Sequence, residues 1–223
     1  MTDRAATFDP ESPAFATDAA TAAYYEQRAA EYDEWWNDLG QYAERGRNGW
    51  SGEVLALVST VRALPAARTL DVACGTGYLT RHLTGYVVGL DQSPSMVEIA
   101  QSRLPGGLAL LGDALDLPFA AGSFTRVFTG HFYGHLPPSE RGTFLTEAGR
   151  VGPELIVVDS ARRPGIDGER WQSRVLNDGS QHRVFKRYLT GPQLAGEIGG
   201  TGVETEVLLD GEWFVAARAI RTG

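Results

Sequence analysis

A chain of 223 residues is long enough for one α/β domain with a sizeable core. Its 28 acidic against 20 basic side chains leave a net charge of −8 with no basic stripe, which argues against nucleic acid as a partner. A lone cysteine, Cys74, excludes an intrachain disulfide and points to a reducing, cytoplasmic setting, and no apolar run reaches the roughly 18 residues of a membrane span.

Residues 1–20 mix Asp, Glu and Pro without the basic start or apolar centre of a secretory signal, and are expected as a flexible tail to one domain over 21–223. From Thr21 to about Trp36, Tyr24, Arg28, Tyr32 and Trp35 recur at three- and four-residue steps, the spacing of one helix face. A second helix is predicted over Glu53 to Ala63. Next, an apolar strand through Leu70-Asp71-Val72 runs into a tight turn holding Gly75 and Gly77, with a helix expected over Tyr78 to Leu83. Val87 to Asp91 is a second strand ending in an acid, and Ser93 with Pro94 opens a helix reaching Leu104. Strands follow at Leu108 to Leu111 and Ser123 to Phe128, a helix at Pro138 to Arg150, and a fifth strand at Glu154 to Asp159. Thr190 to Gly199 is a helix, and Val203 to Leu209 and Glu212 to Ile220 form a hairpin around Asp210-Gly211. Strands alternating with helices imply a largely parallel α/β sheet, to which the hairpin adds an antiparallel strand.

A glycine turn with Asp71 before it and Asp91 closing the next strand describes a nucleoside-binding crevice at the carboxyl ends of the strands. A dinucleotide fingerprint would place Gly or Ala where Thr80 stands, and Asp71 would repel a pyrophosphate while suiting an ammonium group. The pattern Asp71-x-Ala73-Cys74-Gly75-Thr76-Gly77, followed by Asp91, resembles the class I S-adenosylmethionine-dependent methyltransferases. Asp91-Gln92-Ser93-Pro94-Ser95-Met96 is similar to that family's second strand end and following helix, with Met96 beside the adenine. Gly112 to Phe119 is similar to its third loop, in which Asp113, next to Ala114, is placed to bond the adenine amino group.

The resemblance covers roughly residues 20 to 220. It implies a Rossmann-like three-layer sandwich with a seven-stranded, mostly parallel sheet, a C-terminal antiparallel hairpin and an N-terminal helical lid. The cofactor it implies is S-adenosyl-L-methionine, leaving as S-adenosyl-L-homocysteine. The cofactor-binding set is then Tyr24, Arg28, Tyr32, Asp71, Ala73, Gly75, Gly77, Asp91, Gln92, Met96, Asp113, Ala114 and Gly130, with Arg28 clamping the methionine carboxylate. Cys74, inside the turn, reads as a small packed residue rather than a nucleophile, since no cation lies near it in sequence.

Catalytic candidates are His131 and His135, which would share a face if Gly130 to Pro137 were helical; an imidazole can take a proton near neutral pH. Two rival readings stand beside this one. In the first the pair binds a metal, though no third ligand lies nearby and none is expected; in the second His135 is a structural residue bonded to a backbone carbonyl. His131 to Pro137 resembles a segment of bacterial small-molecule methyltransferases, as do Asp178-Gly179 and Val184 to Tyr188. Lid elements are expected at about 21–50 and 160–188. Trp35, Trp36, Trp50 and Trp171 are candidates for lining an acceptor pocket or anchoring the lid. The arginines between 162 and 187 either greet an acidic acceptor or form a solvated face, with Asp167, Glu169 and Asp178 offsetting their charge. A small-molecule acceptor is expected and a homodimer stays open. A non-catalytic cofactor-binding protein and an aminopropyl transferase are the alternatives on the same fold.

Overall fold

The computed structural model describes residues 15–222 with the exception of residue 44. Helix α1 (Ala19–Arg28) starts where the Asp18 carboxylate accepts the Thr21 amide at 2.8 Å, satisfying one of the free amides of a helix start. The expected continuation to Trp36 breaks. A 3-10 turn covers Ala29–Glu31, and a single helical turn, α2 (Glu34–Asn37), ends at Asp38 with φ of 56°. Tertiary contacts override helical preference here, because Asp33 is drawn down to Thr76 and Arg103, each at 2.6 Å. Helix α3 (Trp50–Arg62) buries Val54, Leu57, Val58 and Val61, the i, i+3, i+4, i+7 stripe of an amphipathic helix.

Strands β1 (Ala67–Val72), β2 (Gly85–Asp91), β3 (Leu108–Leu111), β4 (Arg126–Gly130) and β5 (Glu154–Ser160) run parallel. Strands β6 (Glu169–Val175) and β7 (Gln181–Arg187) pair only with each other. Strands β8 (Val203–Asp210) and β9 (Phe214–Arg221) complete the main sheet, whose order is β3-β2-β1-β4-β5-β9-β8 with β9 antiparallel to both neighbours. Helices α4 (Pro94–Arg103), α5 (Pro138–Val151) and α6 (Gly191–Ile198) supply the rest of the outer layers. Leu57 and Val61 of α3 pack on one face with Phe128 and Ile156. On the other, Phe144, Ala148 and Leu194 of α5 and α6 pack with Val127, Val157 and Val215. This is the expected three-layer α/β sandwich. The chain winds outward from β1 to β3 and then crosses back to β4, so a crevice opens between the carboxyl ends of β1 and β4.

Three local expectations are corrected. The helix expected over Tyr78 to Leu83 is only a 3-10 turn at Thr80–His82, because the Thr80 hydroxyl is held by Asp71 at 2.6 Å and β2 begins at Gly85. The 160–188 stretch, to which no strands were assigned from sequence, carries the β6–β7 hairpin, whose polar strands gave little apolar alternation to detect. The boundary at residue 20 is also too late. Phe15 is buried, and the Glu140 carboxylate accepts the amides of Phe15, Ala16 and Thr17 at 3.2, 3.0 and 3.4 Å. The rest of the expected tail, residues 1–14, lies outside the described residues. No helix among the described residues is long and apolar enough to cross a membrane.

Candidate active site

The turn after β1 holds Ala73, Gly75 and Gly77 at φ of 56°, 54° and 75°. Left-handed backbone is strained for alanine, and such strain concentrates where backbone geometry serves a ligand. A side chain on Gly77 would press to 3.3 Å from the Ala100 backbone, so the turn can sit this close to α4 only as glycine. The turn also aims amides at Asp91. Gly75 donates to one carboxylate oxygen at 2.8 Å, and Ser93 donates to the other at 3.0 Å. Burial raises the Asp91 pKa and the amide bonds pull against that rise, leaving a fixed carboxylate with lone pairs open to a sugar diol.

Asp71 differs. Thr80 donates to Oδ2, but Oδ1 is buried with no partner among the described residues. Burial, with the nearby Asp91 charge adding to it, drives the Asp71 pKa up to about 8. An orphaned carboxylate oxygen at a cleft is a seat for a cationic donor. Cys74 beside it is pushed well above the ordinary thiol range by burial, which agrees with packing rather than nucleophilic work.

The cleft is concave, with an apolar wall and a few polar groups converging on it, the usual make-up of a small-molecule site. Of the residues expected from sequence, Tyr32, Ala73, Gly75, Asp91, Gln92, Met96, Asp113, Ala114, Gly130 and His131 converge on its wall. Asp71 lies in an adjoining recess with Tyr32, Trp36, Ala73 and Gly130. Gly77 shapes the turn without lining the cleft. Tyr24 and Arg28 do not line it either: Tyr24 packs at 4.9 Å on His182, and Arg28 opens into a neighbouring cavity. Sequence reasoning missed Phe15, Tyr25 and Phe132, which close the cleft from the lid side. Tyr25 and Tyr32, seven residues apart, carried a faint signal that the stronger Tyr24-Arg28-Tyr32 spacing masked. The lid is pinned down. Glu26 accepts from the Ser93 and Ser95 hydroxyls at 2.5 Å each, and those bonds hold its carboxyl below the ordinary range.

The two histidines part company. His131 has φ of 60° and therefore shares no helix face with His135, whose segment forms only a 3-10 turn at Tyr133–His135. His135 stacks on Phe15 at 4.5 Å, and its Nδ1 meets the Phe185 carbonyl oxygen at 2.5 Å, a structural setting. His131 faces both the cleft and the cavity beyond it, and its Nε2 is buried with no partner among the described residues. Burial pushes its pKa down to about 3, with Lys186 adding to that and Asp159 opposing it, so the ring is neutral at physiological pH. Asp159, which sequence reasoning read only as a strand end, bonds Lys186 at 2.5 Å and accepts the Gly134 amide at 2.6 Å. It thus fixes the loop that carries His131. Of the tryptophans, Trp36 is core, stacked on Tyr78 at 4.5 Å, while Trp35, Trp50 and Trp171 line an outer cavity.

Residues 70–153 match the model of a methyltransferase domain. The chain is 32% identical over 138 residues to the demethylmenaquinone methyltransferase of Desulfitobacterium hafniense, spanning 55% of this chain but only 53% of that protein. It is 29% identical over 216 residues to the ubiquinone biosynthesis O-methyltransferase of Azorhizobium caulinodans, covering 82% and 84% of the two chains. The solved complex of DhpI with S-adenosylhomocysteine superposes with a TM-score of 0.68 at 25% identity, over 91% of this chain and 95% of that one. The chain is similar to methyltransferase domains over residues 70–153, and its fold is that of solved S-adenosylmethionine-dependent methyltransferases. The residues present fit S-adenosylmethionine: the orphaned Asp71 oxygen suits its ammonium group and the oriented Asp91 carboxylate suits its ribose.

Proposed function

We propose that this methyltransferase moves the methyl group to a small-molecule acceptor by direct in-line displacement. One observation carries the reading. Tyr25, Tyr32 and His131 form a common wall, with the cofactor cleft on one side and a second cavity on the other, which adjoins a larger outer cavity through Trp35, Ser160, Arg174 and Lys186. Relatives named for demethylmenaquinone and ubiquinone biosynthesis support a small-molecule acceptor.

Bound S-adenosylmethionine supplies an electrophilic methyl group on a sulfonium, so the protein's task is alignment and exclusion of water. Asp71 would take the ammonium group and Asp91 the ribose hydroxyls, while Leu90, Met96 and Ala114 would pack against the base. Phe15, Tyr25 and Tyr32 close the cleft to water. Orientation of this kind supplies roughly 7–11 kcal/mol of barrier reduction, enough to dispense with a covalent enzyme intermediate. His131 presents a neutral Nε2 that orients the attacking atom. So weak a base does not ionise an alcohol beforehand; it accepts the proton once bonding to carbon has made that proton acidic.

Incubation with methyl-labelled S-adenosylmethionine and a small-molecule cell extract tests the proposal. Label should pass to a small molecule as S-adenosylhomocysteine accumulates. Tight cofactor binding with no acceptor labelled in any extract would favour the non-catalytic reading instead.

A further inference from the structure

We propose that the acceptor carries an oxyanion, a carboxylate or a phosphate-type group, which Arg28, Arg174 and Lys186 hold on the far side of His131. The inference rests on the methyltransferase reading above and narrows its substrate class.

Although the chain is acidic overall, the space beyond His131 is lined by cations. An inner cavity presents Arg28, Arg174 and Lys186. It shares Arg174 and Lys186 with a larger outer cavity, which adds Arg45, Arg47, Arg163 and Arg170. Among the described residues, no Asp or Glu lines either space. The acids that were expected to offset these arginines, Asp167, Glu169 and Asp178, all lie off the cavity walls, so the fold separates charges that the sequence intermixes.

Arg28 is the most informative of the set. It is 6% exposed, its one hydrogen bond among the described residues goes to the Tyr42 hydroxyl at 3.3 Å, and the Tyr32 ring lies 4.7 Å from its guanidinium. No carboxylate among the described residues lies within salt-bridge distance of it. The other arginines buried among the described residues, Arg126 and Arg187, each pair with a carboxylate. A buried guanidinium without a counter-ion is unfavourable unless something else brings the charge. Lys186, also buried, gives one N–H to Asp159 and keeps two donors that no described residue claims. At the outer mouth, Arg47 lies 3.6 Å from the Trp50 ring centre and Arg163 lies 3.7 Å from that of Trp213, so these guanidinium groups are braced by aromatic faces. Arg47 also pairs with Asp38 at 2.5 Å, whereas Arg163 has no carboxylate within salt-bridge distance among the described residues, so its braced guanidinium edge suits the bidentate geometry of carboxylate and phosphate oxygens.

The test titrates benzoate, phenylphosphonate and uncharged benzamide into the full chain saturated with S-adenosylhomocysteine, by calorimetry. At least one anion should bind about tenfold or more tightly than benzamide, the scale of one charge-assisted hydrogen bond. Whichever anion it is identifies the acceptor's group as carboxylate or phosphate-type. Arg174→Gln, at a partly exposed hairpin position, should abolish most of that preference while S-adenosylhomocysteine affinity stays within about twofold; Arg28→Gln should also abolish most of the preference. Benzamide binding as well as both anions, neither anion binding into the millimolar range, or both variants keeping the full preference would overturn the proposal. Failure of the wild-type chain to bind S-adenosylhomocysteine at all would instead sink the reading beneath it.

Discussion

Asp71→Asn should make the cofactor-free protein more stable and the enzyme worse. In the folded chain Asp71 holds its proton up to about pH 8, against 3.8 for the ordinary carboxyl, chiefly because burial disfavours its charge. The folded state therefore binds more protons than the unfolded state between these values. The group's stabilising contribution is fully present below about pH 4 and is lost as pH rises to about 8. From 3.8 to pH 7 is about three pH units, which at about 1.4 kcal/mol each sets a ceiling of about 4 kcal/mol. Water at the cleft mouth screens part of this, so Asp71→Asn should gain about 1–2 kcal/mol at pH 7, or roughly 2–8 °C in Tm for a chain of this size. Thermal unfolding without cofactor at pH 5 and pH 7.5 should show the larger gain at the higher pH. Calorimetry should show S-adenosylmethionine affinity falling about tenfold or more, because the ammonium loses its charged partner. In the wild type, affinity should rise with pH up to about 8 as Asp71 ionises. A variant less stable than wild type at pH 7.5, or one that keeps its cofactor affinity, would refute the assignment of Asp71.

Asp91→Ala removes both the ribose acceptor and the anchor of the Gly75 amide, and should cost about 1.5–3 kcal/mol of cofactor binding by titration. His131→Ala should lower kcat with cofactor affinity nearly unchanged. His135→Ala should instead lower Tm by several degrees, through the lost Phe15 stacking and Phe185 contact; a selective kcat loss there would restore it as a catalytic group. Glu140→Ala unties the amides of Phe15, Ala16 and Thr17, so it should weaken cofactor binding from a position outside the cleft; unchanged affinity would mean that Phe15 stays seated without its anchor.

The parallel core was legible because its strands are short apolar runs ended by turn residues, a signal held within each segment. The places of Asp71 and the glycine turn after β1, and of Asp91 and Met96 at the β2–α4 junction, were legible for a similar reason, since each junction is set by residues adjacent in sequence. What escaped depends on contacts between distant parts of the chain. Phe15 is held by Glu140, 125 residues away, and nothing near residue 15 announces it. The helix expected to reach Trp36 breaks because Asp33 answers to Thr76 and Arg103. The pairing of His131 with His135 failed because their spacing carries meaning only on a helix, and backbone at φ of 60° removes the helix. The cationic cavity was half visible as a run of arginines, but only the fold shows that their acidic neighbours in sequence turn away from it.

A crystal structure of the chain with S-adenosylhomocysteine decides most directly whether the cleft does what its residues imply. The ribose should lie against the Asp91 carboxylate, the amino group should bond the Asp71 oxygen that now lacks a partner, and the sulfur should face the wall formed by Tyr25, Tyr32 and His131. Nucleoside density elsewhere, or none in the cleft at saturating S-adenosylhomocysteine, would contradict the cofactor placement on which the proposed chemistry depends.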